Sequence, residues 1–81
     1  MKLNELDKRI LGDLRRTYIS AVQEMALSPE GSTGYRRGES LAASTSHTVF
    51  SIFGGGEAEA LRNEGLREWE RIRGYQKEAA V

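Results

Sequence analysis

The chain has 81 residues, with 12 basic and 12 acidic side chains, one histidine and no cysteine, so its formal net charge is zero. This length accommodates one domain and is too short for two. The lack of cysteine excludes disulfides and thiolate metal sites, and one histidine cannot build a structural zinc site. Balanced charge argues against a nucleic-acid coat, because that affinity comes from excess Lys and Arg.

No apolar run approaches the ~18–20 residues that span a bilayer. The first residues are charged from Lys2 onward and lack the apolar core of a signal peptide. We therefore expect a cytoplasmic protein without a membrane segment.

A periodic apolar pattern predicts a helix over residues 3–27. Its apolar side chains recur at steps of three or four and share one face: Leu3, Leu6, Ile10, Leu14, Tyr18, Val22 and Met25. Asn4 is placed as the N-cap, and Asp7 completes a weak capping box. Proline disfavours helical geometry in the residue before it, so the helix should stop at Ser28-Pro29.

A second periodic pattern predicts a helix over residues 57–79. Its apolar stripe comprises Ala58, Leu61, Gly65, Trp69, Ile72, Tyr75 and Ala79. Four Glu–Arg pairs stand three residues apart: Glu59–Arg62, Glu64–Arg67, Glu68–Arg71 and Glu70–Arg73. Such pairs support an exposed helix by about 0.2–0.5 kcal/mol each. We interpret this charge run as a solvated face.

The middle of the chain allows two interpretations. Residues 28–40 are rich in glycine and serine, so we predict a loop there. Within residues 41–53, six side chains fit one helical face, namely Leu41, Thr45, Thr48, Val49, Ile52 and Phe53, yet most of them are residues that also favour strands. A lone strand would need a partner from another molecule, so we favour a short helix. The glycines at 54–56 should then form a connector.

No pattern of catalytic or cofactor chemistry emerges. His47 lies among serines and threonines and could act as a base for one of these hydroxyl groups. Such a base has to be oriented by a third group, and the sequence indicates no residue for that role. The glycines at 54–56 precede a helix, where an anion could bind, but Glu57 and Glu59 would repel a phosphate. We expect no catalytic residue, no metal and no cofactor.

The fold predicted from these elements is all-α, a single small domain over residues 1–81. It has two long amphipathic helices joined by a loop and the short central segment. Because two long helices make an incomplete core, we expect dimerisation into a helical bundle, and hence a homo-oligomer.

For function, we expect a non-enzymatic protein-interaction module, a small adaptor or inhibitor that blocks a partner protein by occupying its surface. Inhibitors encoded by phages and mobile elements often have this size and lack of chemistry. Aromatic and arginine side chains are enriched at interface hot spots. The candidate partner-binding residues are Tyr35, Arg36, Arg37, His47, Phe50 and Phe53.

Two alternatives remain open at this point. The first is a nucleic-acid-associated regulator that uses Arg36 and Arg37 with Arg15 and Arg16, for which binding should be weak. The second is a small-molecule or nucleotide binder with a pocket at a dimer interface, lined by Tyr35, Arg37, His47 and Phe50.

Overall fold

Three helices account for almost all of the chain: α1 spans Glu5–Leu27, α2 spans Thr33–Phe53 and α3 spans Gly55–Ala79. The computed structural model describes residues 2–79, and the side chains of residues 2–77. The described part measures 47 × 23 × 18 Å. The all-α prediction is confirmed, and none of the described helices is apolar over a stretch long enough to cross a membrane.

Helix α1 begins and ends as its sequence predicts. The side chain of Asn4 accepts a hydrogen bond from the backbone N–H of Asp7, and the Asp7 carboxylate accepts one from the Asn4 N–H. This reciprocal capping box satisfies two N–H groups that no helical carbonyl can reach. At the other end Ser28, the residue before Pro29, has an extended backbone and terminates the helix.

The central element is a 21-residue helix, and it begins at Thr33 instead of residue 41. The strand alternative for residues 41–53 is therefore wrong, and the loop predicted over residues 28–40 shrinks to residues 28–32. Ser32 caps α2 by accepting a hydrogen bond from the backbone N–H of Tyr35 at 3.2 Å. That cap starts the helix eight residues early.

Glycines at 34 and 38, which suggested a loop, instead allow α2 to approach α1 closely. A Cβ atom at Gly38 would lie 2.7 Å from the carbonyl oxygen of Ala21, and one at Gly34 would lie 2.7 Å from Oγ of Ser28. Both distances are far below van der Waals contact. These contacts also show that α1 and α2 run antiparallel, because the later glycine meets the earlier residue of α1.

The core forms where all three helices meet. Its buried side chains come from α1 (Tyr18, Ala21, Val22), α2 (Ala42, Val49, Phe53) and α3 (Ala58, Leu61). Because α2 is long enough to cover both other helices, the bundle closes within one chain. The incomplete core from which we predicted dimerisation is thus not present, and any self-association needs a different cause.

Two apolar stripes are less buried than the periodicity suggested. Leu6 and Ile10 in the first turns of α1 remain exposed, and Tyr75 near the end of α3 is 73% exposed. Tyr18 packs against Gly65, so equal rise per residue brings Leu27, the end of α1, level with Gly74. Tyr75 therefore lies just past the end of α1, where its ring stays largely exposed. The side chain of Ala79 lies outside the described residues.

Candidate functional site

All six predicted partner-binding residues lie on α2, but they point to three different sides of it. An α-helix turns through 100° per residue, so neighbouring residues such as 35, 36 and 37 point to different sides of it. The structure places Phe53 in the core, Tyr35 and Arg37 in contacts with the neighbouring helices, and Arg36, His47 and Phe50 on the outside.

Phe53 is 8% exposed and belongs to the central apolar cluster. Its ring is therefore not available to a partner, and its assignment to a binding surface has to be corrected. Position 53 is eleven residues, or three turns, beyond Ala42, and both face the interior of the bundle.

Tyr35 takes part in a packed cluster at the end of the bundle where α1 turns into α2. Its ring meets Trp69 edge to face, with the ring centroids 6.2 Å apart and an interplanar angle of 78°. The guanidinium of Arg73 lies 4.6 Å from the centroid of the same indole and donates to the carbonyl oxygen of Ser28 at 3.3 Å. Both are favourable aromatic geometries. Tyr35 thus helps to hold α3 against the other two helices.

Ion pairs engage most of the arginines that we considered as phosphate ligands. Arg37 donates to Glu24 of α1 at 2.9 Å, and Arg16 pairs with Asp13 one turn away. Arg15 makes two hydrogen bonds with Glu64 of α3, at 2.6 and 2.7 Å. A phosphate would have to displace these carboxylates, which weakens the case for nucleic-acid binding.

Some of the charged side chains of α3 contact α1 instead of facing only the solvent. Of the four predicted Glu–Arg pairs, Glu68–Arg71 is present, at 2.5 Å. Glu64 turns instead to α1, where the hydrogen bond from Arg15 lowers the pKa of its carboxyl group. Glu68 also accepts from Gln23 of α1 at 3.1 Å. The hydrogen bond from Arg71, with that from Gln23, lowers the Glu68 pKa to about 2.

Arg36, His47 and Phe50 form the remaining exposed stripe, which we call the outer α2 stripe. Positions 36, 47 and 50 are separated by eleven and three residues, so they lie close to one line along the helix. Phe50 is 55% exposed. Arg36 has no ion-pair partner among the described side chains. The stripe therefore presents an aromatic ring and an unpaired cation about 21 Å apart along the helix.

The small-molecule alternative needs Tyr35, Arg37, His47 and Phe50 around one pocket. Within a single chain the helix separates them, because Tyr35 and Arg37 face opposite neighbours and Phe50 lies about 22 Å further along. Among the described side chains, no group of His, Asp and Glu is close enough together to hold a metal ion.

An open groove lies between the ends of α1 and α3, a feature that sequence reasoning did not find. It is lined by Gln23, Leu27, Arg71, Ile72, Tyr75 and Gln76. The periodicity of α3 contained a signal, since it placed Tyr75 on the stripe that faces α1. The length of α1 relative to α3, which leaves that stripe uncovered, is a property of the assembled bundle.

Comparison of the chain with protein-family models, curated proteins and solved structures gives no significant match.

Proposed function

We propose that this chain is a non-enzymatic protein-interaction module, a small adaptor or inhibitor that acts by occupying a surface on another protein. The observation that supports it is the outer α2 stripe, where Phe50 is more than half exposed on a helix whose other face forms the core. Large aromatic rings at interfaces bury much area at low entropic cost.

The stripe also indicates the chemistry of the partner surface. Phe50 fits an apolar pocket, and Arg36 fits a carboxylate about 21 Å away along the line of the helix. Between them Ala43 and His47 have short or flat side chains, so a partner can approach the helix closely. A shallow apolar groove with acid at one end matches this arrangement.

Capture from an extract of the source cell tests this function. The tagged wild type is compared with Phe50→Ala and with Leu66→Ala. Leu66 serves as the matched control because it lies on α3 and is 56% exposed, like Phe50. We expect the wild type and Leu66→Ala to capture the same protein from the extract. That protein, once purified, should bind one site on each copy of the chain. Phe50→Ala should bind it at least tenfold more weakly. Equal retention by all three variants would exclude the stripe as the binding surface.

Self-association is the second part of the proposal. The described residues expose eight large apolar side chains: Leu6, Ile10, Leu27, Leu41, Phe50, Ile52, Leu66 and Tyr75. A formal net charge of zero adds little repulsion between copies. Sedimentation equilibrium should therefore show a species heavier than the 9.0 kDa chain at high concentration. A single 9.0 kDa species throughout would exclude it.

A further inference from the structure

Four exposed apolar residues lie along the line where α1 and α2 touch: Leu6 and Ile10 of α1, and Leu41 and Ile52 of α2. Each is between 37% and 64% exposed. We call the surface that they share the α1–α2 face.

Helix geometry places these residues on one surface. Ile10 is eleven residues, or three turns, before Ala21, whose carbonyl faces Gly38 of α2. Leu41 and Ile52 are seven and eighteen residues, or two and five turns, beyond Gly34, which faces Ser28 of α1. The apolar side chains thus continue the contact line of the two helices toward the other end of the bundle.

Two threonines near these residues have hydroxyl groups that are hydrogen-bonded within their own helices. Thr17 Oγ1 donates to the carbonyl oxygen of Asp13 at 3.0 Å, and Thr48 Oγ1 donates to that of Ser44 at 2.9 Å. Thr17 is seven residues before Glu24, which pairs with Arg37 of α2, so it lies on the side of α1 that faces α2. Because these hydroxyl protons are already bonded within the helices, burying them leaves no donor unsatisfied.

The surface carries almost no charge. Residues 40–53 of α2 contain no Asp, Glu, Lys or Arg. Two pairs of charges beside the face neutralise each other, Asp13 with Arg16 and Glu24 with Arg37, and Arg9 flanks it without an ion-pair partner among the described side chains. A two-fold symmetric contact places a patch against itself, so any net charge would face its own sign. An uncharged patch avoids that repulsion and suits a second copy of the same chain.

The size of the patch sets the strength of the contact. From Leu6 to Thr17, α1 rises about 17 Å, and the two helices together are about 20 Å wide. The footprint of a few hundred Å² per copy is smaller than the ~800 Å² that a stable interface buries on each side. A symmetric contact through this face would therefore belong to the weak, reversible class.

We propose that the α1–α2 face is the contact surface of a two-fold symmetric homodimer with a Kd in the micromolar range. This inference rests on the self-association proposed above and identifies the face responsible. It leaves the outer α2 stripe of each copy free for another protein.

Sedimentation equilibrium of the full chain from about 1 to about 500 µM tests the assignment. Ile52→Glu and Leu41→Glu each place an unpaired charge in the contact, whereas Phe50→Glu and Leu66→Glu place it on equally exposed positions elsewhere. We expect the wild type and both controls to shift toward twice 9.0 kDa at high concentration. The two face variants should dimerise at least tenfold more weakly. Circular dichroism on the same samples checks that all four remain helical.

The outcomes separate the two proposals. If the wild type remains a monomer, self-association and the inference are both excluded, while the role of the outer α2 stripe is untouched. If the wild type dimerises and only Phe50→Glu or Leu66→Glu disrupts it, self-association stands and the α1–α2 face is excluded. Should a glutamate variant lose helix content, Ile52→Ser replaces it, because serine removes the apolar contact without adding a charge.

Discussion

Gly65 of α3 lies against the ring of Tyr18 in α1, so closely that a Cβ atom at position 65 would come within 2.5 Å of Tyr18 Cε1. The ring is itself part of the buried cluster, so it has to shift toward the groove that it lines with Gly65 and Trp69 before a methyl group fits at position 65. We therefore expect Gly65→Ala to destabilise the bundle by about 1–3 kcal/mol, the usual cost of overpacking. Urea unfolding followed by circular dichroism measures this.

Gly74→Ala is the matched control for that substitution. It lies in the same helix, and nothing comes within 4 Å of a Cβ atom built there. Alanine loses less backbone entropy than glycine in a helix, so this change should stabilise the protein by up to about 1 kcal/mol. Equal effects of the two substitutions would show that Tyr18 and Gly65 are not in tight contact.

Phe53 and Phe50 should respond in opposite ways to truncation. Phe53→Ala removes a ring that is 8% exposed from the core, and we expect a loss of about 3–5 kcal/mol and a lower melting temperature. Phe50→Ala removes a ring that is 55% exposed and should change the stability by less than about 0.5 kcal/mol. Thermal unfolding of both variants measures the two effects. A larger loss of stability in Phe50→Ala than in Phe53→Ala would contradict the orientation of α2.

Acid should destabilise the fold by protonating Glu68, which accepts hydrogen bonds from Arg71 of its own helix and from Gln23 of α1. The pKa of Glu68 is about 2 in the folded protein, against an ordinary value of 4.5, so the unfolded chain takes up this proton first. The stabilisation is then fully present above pH 4.5 and is lost as the pH falls toward 2. We expect the melting temperature to decline across this window, with Glu64 adding to the effect because its pKa is also lowered.

Glu68→Gln isolates the contribution of that carboxylate. The variant should unfold at a lower temperature at pH 7 and should show a shallower decline between pH 4.5 and 2. Glu70→Gln, on the exposed side of the same helix, should keep the wild-type profile. Identical profiles for all three proteins would mean that the Gln23–Glu68–Arg71 network contributes nothing to folding.

The ends of α1 could be predicted from the sequence because local chemistry decides them. Asn4, Asp7 and Pro29 act on backbone groups within a few residues, and the structure confirms each effect. The start of α2 was missed because glycine has two uses, as a turn residue and as a site of close helix contact. The signal that favoured the second was Ser32 as a cap, followed by small residues four apart at 34, 38 and 42.

The candidate site was harder to predict, because the environment of each side chain depends on the neighbouring helices. Residues 35, 37 and 53 were identified by type alone, and their positions on the helix turn them toward Trp69, Glu24 and the core. For Phe53 the buried environment could be predicted, since the helix predicted over residues 41–53 places its ring on the apolar face. The partners of Tyr35 and Arg37 lie on other helices, which periodicity in one segment does not reveal.

A single residue, Gly54, joins α2 to α3, and its φ of 95° with ψ of 176° is a conformation that L side chains avoid. A residue with a Cβ atom would hold these angles at a cost of about 1–3 kcal/mol. It would gain no packing in return, because nothing lies within 4 Å of a Cβ atom built at position 54. The reversal that returns α3 to its own chain thus draws on the backbone freedom of this one position and on no side-chain contact.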